Sequence, residues 1–499
     1  MVRYVFFAET MPAPWDYLIL TASNEPQAQA YESQLGARVA AGRLPEVRAA
    51  LVEADPGGRR IGSGGSTLRC LARVVGRERR SPGESAAAVL ARLRVLIVHA
   101  GGDSRRLPAY APCGKIFVPM PVESRGPLPA TLFDLLAPQF LKLPPGAEGQ
   151  VVVAAGDALN RMETGPLSLA EPGLIALGAH TSPEEAARHG VFCLGEGGVV
   201  RLYLQKPALA EQIAHGAITP GGAAVLDIGV MSFDAASSAA LLAAFEPFGA
   251  EIAEHGLDLY REICCAMGSQ ATPEHYLRSA RASGSRWSEP ALRAVYPLLR
   301  AIPLRARLVP QASFLHFGST RQLIESGAEL AGTGRLSVNN EIRGAGTIRG
   351  GDFWVEGCRI SAPLELEGRN VVAGVDIDEP LSLPRGACLE VLKGRTREGS
   401  PAWFVRCYGI DDTFKDDRFR GRPMPAWFGA GPLWDARVFP AVPDPGAYRD
   451  WLWMLEPECA TAEQKAAFLA AARYSAAEIA WLADQDAFYR RRADNASRL

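Results

Sequence analysis

The chain has 499 residues, more than one ordinary hydrophobic core accommodates, so we expect two or three domains. A net charge of −2 argues against a general nucleic-acid binder, which normally carries a basic stripe. No apolar run is long enough to span a bilayer, and the N-terminus has no signal-peptide pattern. Nine scattered cysteines without a C-x-x-C pair argue against a zinc or disulfide scaffold, so we expect a cytoplasmic protein with reduced thiols.

The N-terminal region has the pattern of an α/β sheet. The apolar run 15–22 predicts a strand, and the Ala- and Gln-rich residues 25–41 after a polar cap predict a helix. Residues 56–68, PGGRRIGSGGSTL, predict a Gly-rich loop. A flexible connector or the phosphate loop of a small-molecule kinase would also explain that loop. The charged stretch 77–85 predicts a solvated loop.

Residues 94–119, RVLIVHAGGDSRRLPAYAPCGKIFVP, are the most informative stretch of the sequence, and we call residues 101–119 the signature loop. A buried strand over 95–98 leads into two glycines, a hydroxyl and three cations, which are Gly101, Gly102, Ser104, Arg105, Arg106 and Lys115. Bare N–H groups and fixed positive charge suit a polyphosphate. Ala109 and Ile116 exclude a Walker A loop, and the G-x-G-x-x-G pattern is absent. An ordinary strand-to-helix turn remains the alternative.

A double-Gly loop followed by Arg-Leu-Pro and a downstream Lys resembles the signature of sugar-phosphate nucleotidyltransferases. The wording HAGGDSRRLP…GKIF is similar to the fucose-1-phosphate guanylyltransferase family, including the pyrophosphorylase half of bifunctional fucokinase enzymes. This resemblance implies GTP and L-fucose 1-phosphate as substrates, GDP-L-fucose and pyrophosphate as products, and Mg²⁺ as cofactor. It implies that Arg106 and Lys115 neutralise the departing pyrophosphate.

The resemblance also assigns residues to the nucleotide. It implies that Gly101 and Gly102 offer backbone donors to the phosphates, beside Ser104 and Arg105. The family has a loop spelled IGSGG(A/S)TL, so the resemblance makes Gly64, Gly65 and Ser66 a second wall of the nucleotide site.

Two aspartates follow or interrupt later predicted strands. The strand 151–157 delivers Asp157 at its carboxyl end, where ligands of open α/β sheets gather. Asp227 interrupts the apolar strand 225–231, and a carboxylate there is costly unless it meets a cation. The resemblance implies that both aspartates bind Mg²⁺, which typically takes one or two protein carboxylates. A helix N-cap remains the alternative role of Asp157.

The segments 189–193 and 199–207 predict an antiparallel strand pair with a turn at Gly195. The family has HGVF followed by Gln-Lys-Pro, so the resemblance places Lys206 against the attacking sugar phosphate. A plain surface lysine is the alternative. Residues 233–300 have helical periodicity, and the family has a similar DLY segment at 258–260, to which we assign no role.

Beyond residue 308, apolar residues recur at every sixth position, at Leu336, Ile342, Ile348, Trp354, Ile360, Leu366 and Val372. This period predicts a parallel β-helix with inward-facing aliphatic residues. The expected fold class is therefore α/β, with a Rossmann-like nucleotidyltransferase domain over 1–305 and a left-handed β-helix over 306–400. We expect a C-terminal extension over 401–499 that is largely helical at its end.

The residues alone indicate a nucleoside triphosphate and a sugar phosphate, because base and sugar recognition have no readable code. Another sugar 1-phosphate, a sugar kinase and a non-catalytic binding protein remain alternatives. Bifunctional relatives carry a kinase domain after this region, so we expect a separate kinase to supply the sugar phosphate. We also consider a homo-oligomer, and we expect neither nucleic-acid nor membrane partners.

Overall fold

The computed structural model describes residues 15–44, 47–124, 126, 128–162, 167–310 and 313–498. The chain divides into two compact units, each built from two stretches of sequence. The first unit comprises Met1–Gly101 and Leu136–Phe314, and the second comprises Gly102–Leu135 and Leu315–Leu499. The segment after Gly101 thus groups with the C-terminal part of the chain, whereas the sequence predicts that it belongs to one continuous domain over 1–305.

The first unit is built on one mixed sheet. Its strands are β1 (Trp15–Ala22), β2 (Val47–Ala54), β3 (Arg94–His99), β4 (Gln150–Ala155), β5 (Ala158–Arg161), β6 (Leu174–Thr181), β7 (Gly190–Leu194), β8 (Val200–Gln205), β9 (Ala224–Phe233) and β10 (Leu304–Leu308). The predictions of β1, β3, β4, β9 and the β7–β8 pair are confirmed. The short β5 stands outside the main sheet.

The main sheet has the order β10-β6-β9-β4-β3-β1-β2, and the β7–β8 hairpin joins it at β9. The strands β2, β1, β3 and β4 are parallel, whereas β9 is antiparallel to β4 and β6. The chain passes from β1 to β2 on one side and then to β3 on the other side of β1. The sheet therefore has a topological switch point between β1 and β3, where open α/β sheets bind ligands.

Helices flank this sheet and supply its core. They are α1 (Glu25–Ala40), α2 (Gly62–Glu78), α3 (Ala86–Leu90), α4 (Leu132–Leu141), α5 (Pro183–Ala186), α6 (Leu209–Ala214), α7 (Ala235–Phe245), α8 (Gly249–His255), a π-helix (Leu259–Cys264), α9 (Cys265–Met267), α10 (Pro273–Ala282) and α11 (Glu289–Arg300). Alternate residues of β3, Val95 and Ile97, lie in one buried cluster with Val74 of α2 and Leu292 of α11. The predictions of α1 and of helices over 233–300 are confirmed.

One local prediction in this unit is wrong. Residues 62–78 form the helix α2 and not a continuous Gly-rich loop over 56–68, although Pro56–Gly58 does form a short 3-10 turn. Glycine disfavours helix interiors, so the local sequence argued against a helix here. The helix begins where it does because the carbonyl of Leu257 accepts hydrogen bonds from Gly64 and Gly65, at 2.8 and 3.1 Å.

After β11 (Ser313–His316) and α12 (Thr320–Ala331), the second unit continues in short strands. They are β12 (Arg335–Val338), β13 (Glu341–Ile342), β14 (Thr347–Gly350), β15 (Phe353–Glu356), β16 (Arg359–Ile360), β17 (Pro363–Leu366), β18 (Asn370–Ala373), β19 (Asp376–Ile377) and β20 (Leu381–Leu383). Every third strand pairs in parallel, which gives the series β12-β15-β18, β13-β16-β19 and β14-β17-β20. The chain visits these three parallel sheets in turn.

The six-residue period holds only in part. Leu336, Trp354, Ile360, Leu366 and Val372 are buried. Ile342 is 48% exposed, so the prediction that it faces inward is wrong. Leu336 pairs with Trp354, but Trp354 pairs with Val371, so the repeat shortens by one residue between the two pairs.

The C-terminal part begins with longer antiparallel strands. It contains β21 (Ala387–Arg395), β22 (Pro401–Gly409), β23 (Arg418–Phe419), β24 (Arg422–Pro423), β25 (Phe439–Val442) and β26 (Arg473–Tyr474). A 3-10 helix spans Pro445–Leu455, and the last elements are α13 (Ala462–Ala470), α14 (Ala476–Leu482) and α15 (Gln485–Ala496). The strand β21 also continues the parallel series at β18.

All nine cysteines are unpaired, and eight of them are buried. Within the ranges described above, none of the helices combines the length and the apolar character that a membrane crossing requires.

Candidate functional site

The switch point of the first unit is lined by the carboxyl ends of β1 and β3. Thr21, near the end of β1, accepts hydrogen bonds from the N–H groups of Ala100 and Gly101 at 3.1 and 3.2 Å. A Cβ on Gly101 would lie 2.9 Å from the carbonyl carbon of Ala22, so only glycine fits this close approach. The N–H of Gly101 is thus engaged by Thr21, a residue to which the sequence assigned no role.

The predicted second wall of the nucleotide site is the first turn of α2. The N–H groups of Gly64 and Gly65 donate to Leu257, so these two donors are already engaged. The hydroxyl of Ser66 donates to Asp55 at 3.0 Å. A Cβ on Gly64 would lie 2.8 Å from the Leu257 side chain. Close packing against Leu257 therefore explains the glycines of this turn, and the role of the turn at the nucleotide stays a prediction.

One of the two aspartates predicted to bind metal lies on a strand, and the other follows its neighbouring strand. Asp227 lies on β9, and Asp157 lies two residues past the end of β4. The β4–β9 ladder ends with Ala154 paired with Val230. The charges of Asp157 and Asp227 both act on Tyr260, so the two carboxylates lie near the same side chain. The ladder between β6 and β9 shifts between Ala176 and Gly178, the latter pairing with Asp227. A β-bulge of this kind re-aims a side chain, and such bulges recur next to active sites.

Asp227 is a buried carboxylate whose hydrogen-bond donors, among the residues that the structure describes, are neutral. It accepts from the Tyr203 hydroxyl at 3.0 Å and from the Gly229 N–H at 2.8 Å. Burial raises the pKa of Asp227 to about 7, although both hydrogen bonds oppose the shift. Gly229 has a φ of +74°, which lets its N–H turn back to the carboxylate.

These two carboxylates fit Mg²⁺. Within the described residues Asp227 has no Lys, Arg or His partner, and a buried carboxylate is costly without a cation. Across the same residues, no group of three or more His, Cys, Asp and Glu side chains is arranged to hold a metal ion. Two carboxylates completed by phosphate oxygens and waters are the usual donor set of Mg²⁺ beside a nucleotide.

Lys206 follows β8 and has a left-handed backbone, with a φ of +53°. Non-glycine residues rarely adopt this conformation, and such strain is enriched at functional sites. Its N–H donates to the carbonyl of His189 at 2.9 Å, and its side chain is exposed. In the described part of the chain its ammonium group makes no ion pair, which leaves its charge available to a ligand.

Gly190 on β7 packs closely against Tyr203, the residue that donates a hydrogen bond to Asp227. A Cβ on Gly190 would overlap the hydroxyl oxygen of Tyr203. Only glycine at this position lets Tyr203 reach Asp227. The first unit therefore brings Asp157, Asp227 and the end of β8 to one edge of its sheet.

Sequence reasoning gave no role to a segment that borders the same edge, the π-helix Leu259–Cys264. Asp258 caps it and accepts from the N–H groups of Tyr260 and Arg261 at 3.0 and 2.9 Å. Burial and the charges of Asp227, Asp258 and Asp157 raise the pKa of Tyr260 well above its usual range. π-helices are rare and frequently occur at functional sites, but they have no sequence signal that could have predicted one.

His99 is the last residue of β3. Its Nε2 is 3.0 Å from the hydroxyl of Thr67. Loss of solvent lowers the pKa of His99 to about 4, although the carboxylate of Asp258 opposes the shift. The imidazole is therefore neutral at pH 7.

The remaining predicted residues lie in the second unit, on the signature loop. Gly102 and Ser104 have positive φ values of 109° and 52°, so the backbone turns sharply here. The guanidinium of Arg105 donates to Asp103 at 3.0 Å and lies 5.1 Å from the ring of Trp434. The carbonyl of Arg106 accepts from Thr320 at 2.9 Å. Arg106 itself is exposed.

Lys115 opens the 3-10 turn Lys115–Phe117, immediately after Gly114 with a φ of +78°. The side chain of Lys115 is half-buried. Arg105, Arg106 and Lys115 thus belong to the second unit, whereas the two aspartates and Lys206 belong to the first.

Comparisons with known proteins cover most of this chain. The model of the fucose pyrophosphorylase domain matches residues 87–342. The L-fucokinase/L-fucose-1-P guanylyltransferase of Bacteroides fragilis is 26% identical over 88% of this chain and 48% of its own length. The fucose-1-phosphate guanylyltransferase of Homo sapiens is 26% identical over 62% of this chain and 54% of its own length. The chain thus spans about half the length of these curated relatives.

Among solved structures, the mannose-1-phosphate geranyltransferase of Thermus thermophilus overlaps 64% of this chain and 96% of its own length. The overlap has a TM-score of 0.31 at 17% identity, which is too low to support an argument. The domain match is different, because it covers half of the chain and includes the signature loop, Asp157, Lys206 and Asp227. On that match, the chain belongs to the fucose pyrophosphorylase domain family.

Proposed function

We propose that this chain joins L-fucose 1-phosphate to GTP to give GDP-L-fucose and pyrophosphate. The observation that carries the proposal is the domain match over 87–342, which contains every predicted catalytic and metal-binding residue. The names of the relatives from Bacteroides fragilis and Homo sapiens supply the sugar and the guanylyl group. Another sugar 1-phosphate would use the same chemistry with a different specificity.

In the proposed reaction an oxygen of the sugar phosphate attacks the α-phosphorus of GTP. A new P–O bond forms, the bond from the α-phosphorus to the bridging oxygen breaks, and pyrophosphate leaves with that electron pair. The attacking phosphate oxygen is already ionised, so no general base and no covalent intermediate are needed. The protein contributes by positioning the two substrates and by stabilising charge.

The cations have distinct proposed roles. Lys206, with an exposed side chain at the end of β8, holds the incoming sugar phosphate. Arg106 and Lys115 neutralise the charge that develops on pyrophosphate. Asp157 and Asp227 would hold Mg²⁺, which when bound supplies positive charge to the triphosphate. Ionised Asp227 is the required form, so a bound cation must also lower its raised pKa.

The kinase alternative is weaker. Its one motif, residues 56–68, contains the start of a helix whose Gly64 and Gly65 donors are engaged by Leu257. A kinase would also need a catalytic acid and a second phosphate loop, which the sequence does not offer. ADP formed from ATP and free fucose would revive this alternative.

We also propose that the short strands β12 to β20 wind as a left-handed parallel β-helix. The chain places successive strands in three parallel sheets in rotation, as the coils of a β-helix do, and this supports the proposal. The hand of the coil is the finer part of this proposal, and an electron-density map that shows right-handed coils would contradict it.

Pyrophosphate release tests the proposed substrates. The purified chain is incubated with Mg²⁺, each of the four nucleoside triphosphates and a panel of sugar 1-phosphates that includes L-fucose. We expect release with GTP and L-fucose 1-phosphate and little with other pairs. Release with a different pair would keep the proposed reaction and change the proposed substrates. No release with any pair would contradict the proposed reaction.

A further inference from the structure

The part of the signature loop that carries its cations has little regular structure of its own. Between Arg106 and Lys115 the backbone forms one 3-10 turn, Pro108–Tyr110, and a second such turn begins at Lys115. Buried backbone groups need hydrogen-bond partners, and short turns leave many of them unpaired locally. The position of this segment therefore depends on residues elsewhere in the second unit.

Three side chains from the C-terminal third of the chain make hydrogen bonds to this segment, two of them to backbone carbonyls. Arg406 on β22 donates to the carbonyl of Pro108 at 2.8 Å. The Tyr110 hydroxyl donates to Glu356 on β15 at 2.9 Å. The Tyr489 hydroxyl on α15 donates to the carbonyl of Cys113 at 2.5 Å. These contacts fix the loop at three points between its two catalytic cations.

The supporting side chains form a buried network. Glu356 is paired with Arg492 at 2.5 Å, and Arg406 is paired with Glu390. Trp354 adds a hydrogen bond to the Tyr110 hydroxyl at 3.0 Å. All of these side chains are buried. The network therefore contacts the middle of the loop, residues 107–114, which is buried between the exposed Arg106 and the half-buried Lys115.

Stability alone does not account for this network. Within the described residues, the Nε and Nη1 atoms of Arg406 are buried without hydrogen-bond partners. A buried ion pair is often no more stable than well-packed apolar side chains in its place. The polar groups do provide something that apolar ones could not, which is directed hydrogen bonds to Pro108 and to the Tyr110 hydroxyl.

We propose that Arg406, Glu356 and Tyr489 are positioning residues, which set the separation of Arg106 and Lys115 for the phosphate chemistry. This inference rests on the proposed function and extends it to residues beyond 342, where the family match ends. It predicts that the C-terminal third is required for guanylyl transfer although it supplies none of the predicted phosphate-binding side chains.

The substitution Tyr489→Phe tests the inference, because it removes one hydrogen bond and keeps the ring. The matched control is Tyr474→Phe, which removes a hydroxyl that accepts from the Arg397 N–H at 3.2 Å in the same unit. Tyr474 is also buried and makes no hydrogen bond to the signature loop within the described residues. We expect Tyr489→Phe to lower kcat/KM for pyrophosphate release by about tenfold, and Tyr474→Phe to leave it unchanged.

Hydrogen–deuterium exchange gives a readout that does not require activity. We expect amide exchange in peptides from residues 102–118 to rise about fivefold in Tyr489→Phe, as the loss of one ordinary hydrogen bond predicts. The Tyr474→Phe protein should match the wild type. Equal exchange and equal kcat/KM in the two variants would overturn the inference.

A double-mutant cycle with Lys115→Ala separates positioning from general stability. If Tyr489 acts through the loop that carries Lys115, then Tyr489→Phe should lower kcat/KM by about twofold or less once Lys115 is gone. The same tenfold loss in both backgrounds would overturn the inference. If the wild type releases no pyrophosphate with any pair, the proposed function fails. In that case loop exchange still tests whether Tyr489 holds the signature loop: faster exchange in Tyr489→Phe supports this contact, and unchanged exchange overturns the inference.

Discussion

The two units place their predicted functional residues by different physical means. In the first unit, Asp227 lies on β9, and Asp157 lies two residues past the end of β4, the strand that pairs with β9. In the second unit, Arg106 and Lys115 lie on a loop of short turns, fixed by hydrogen bonds to distant residues. The partner of Pro108 is 298 residues away in sequence, and that of Cys113 is 376 residues away.

Because of this difference, a single substitution should disturb neighbouring residues less in the first unit than in the second. A sheet edge shares its backbone hydrogen bonds over many residues, so replacing one functional side chain leaves its neighbours in place. The signature loop is held by only a few long-range hydrogen bonds, so the loss of one of them should move the residues of the loop. Substitutions in the first unit should therefore report chemistry, and those in the second should report chemistry and position together.

The substitution Asp157→Asn tests the first unit with the largest expected effect. It removes a charge and keeps the shape, so we expect turnover to fall by at least about a hundredfold while the melting temperature stays near that of the wild type. The control is Glu196→Gln in the exposed turn between β7 and β8. Pyrophosphate release near the wild-type rate in Asp157→Asn would remove Asp157 from the proposed metal site.

Lys115→Ala is the corresponding test in the second unit. Loss of the cation that stabilises pyrophosphate should also lower turnover by at least about a hundredfold. The exposed Lys393 of the same unit is the control, and Lys393→Ala should retain full activity. Steady-state pyrophosphate release measures both variants. Equal rates for the two would show that Lys115 carries no special charge role.

Gly190→Ala tests how closely β7 is fitted around Asp227. The added Cβ would overlap the Tyr203 hydroxyl, so Tyr203 must move and release Asp227. Overpacking of this kind should cost up to about 3 kcal/mol of unfolding free energy, measured by urea denaturation. The control Gly76→Ala lies in α2 with open space around it, so it should be neutral or stabilise by up to about 1 kcal/mol. Equal stability of the two variants would contradict the fit.

His99 gives the smallest expected effect, a pH dependence confined to the first unit. Its pKa is about 4 in the folded protein and near 6.5 when unfolded. Between these values only the unfolded chain binds the proton, so the free energy of unfolding falls as the pH drops from 6.5 to 4. We expect the wild type to lose roughly 2 kcal/mol more than His99→Gln over this interval. Parallel stability curves for the two proteins in urea would contradict this assignment.

The sequence predicts the framework of the first unit well. The apolar runs of β1, β3, β4 and β9 are long enough and sufficiently β-branched to indicate buried strands. The metal-binding roles of Asp157 and Asp227 stay predictions, which rest on the strand end before Asp157 and on the apolar surroundings of Asp227. The same local patterns cannot predict the bulge that aims Asp227, because a register shift depends on the partner strand.

Other features depend on contacts that no local pattern contains. Residues 62–78 form a helix despite three early glycines, because the Leu257 carbonyl accepts from its first turn. Ile342 fits the six-residue period and is nevertheless exposed. The grouping of residues 102–135 with the C-terminal part follows from partners such as Arg406 and Tyr489, which lie hundreds of residues away.

The central claim is that the α-phosphorus of GTP is transferred to a sugar phosphate, and two labelled substrates test it directly. The purified chain is given L-fucose 1-phosphate and Mg²⁺ with GTP labelled at either the α- or the γ-phosphate. We predict that the α-label appears in GDP-L-fucose and the γ-label in pyrophosphate. A γ-label on the sugar, or no transfer of the α-label to any sugar phosphate, would contradict the account.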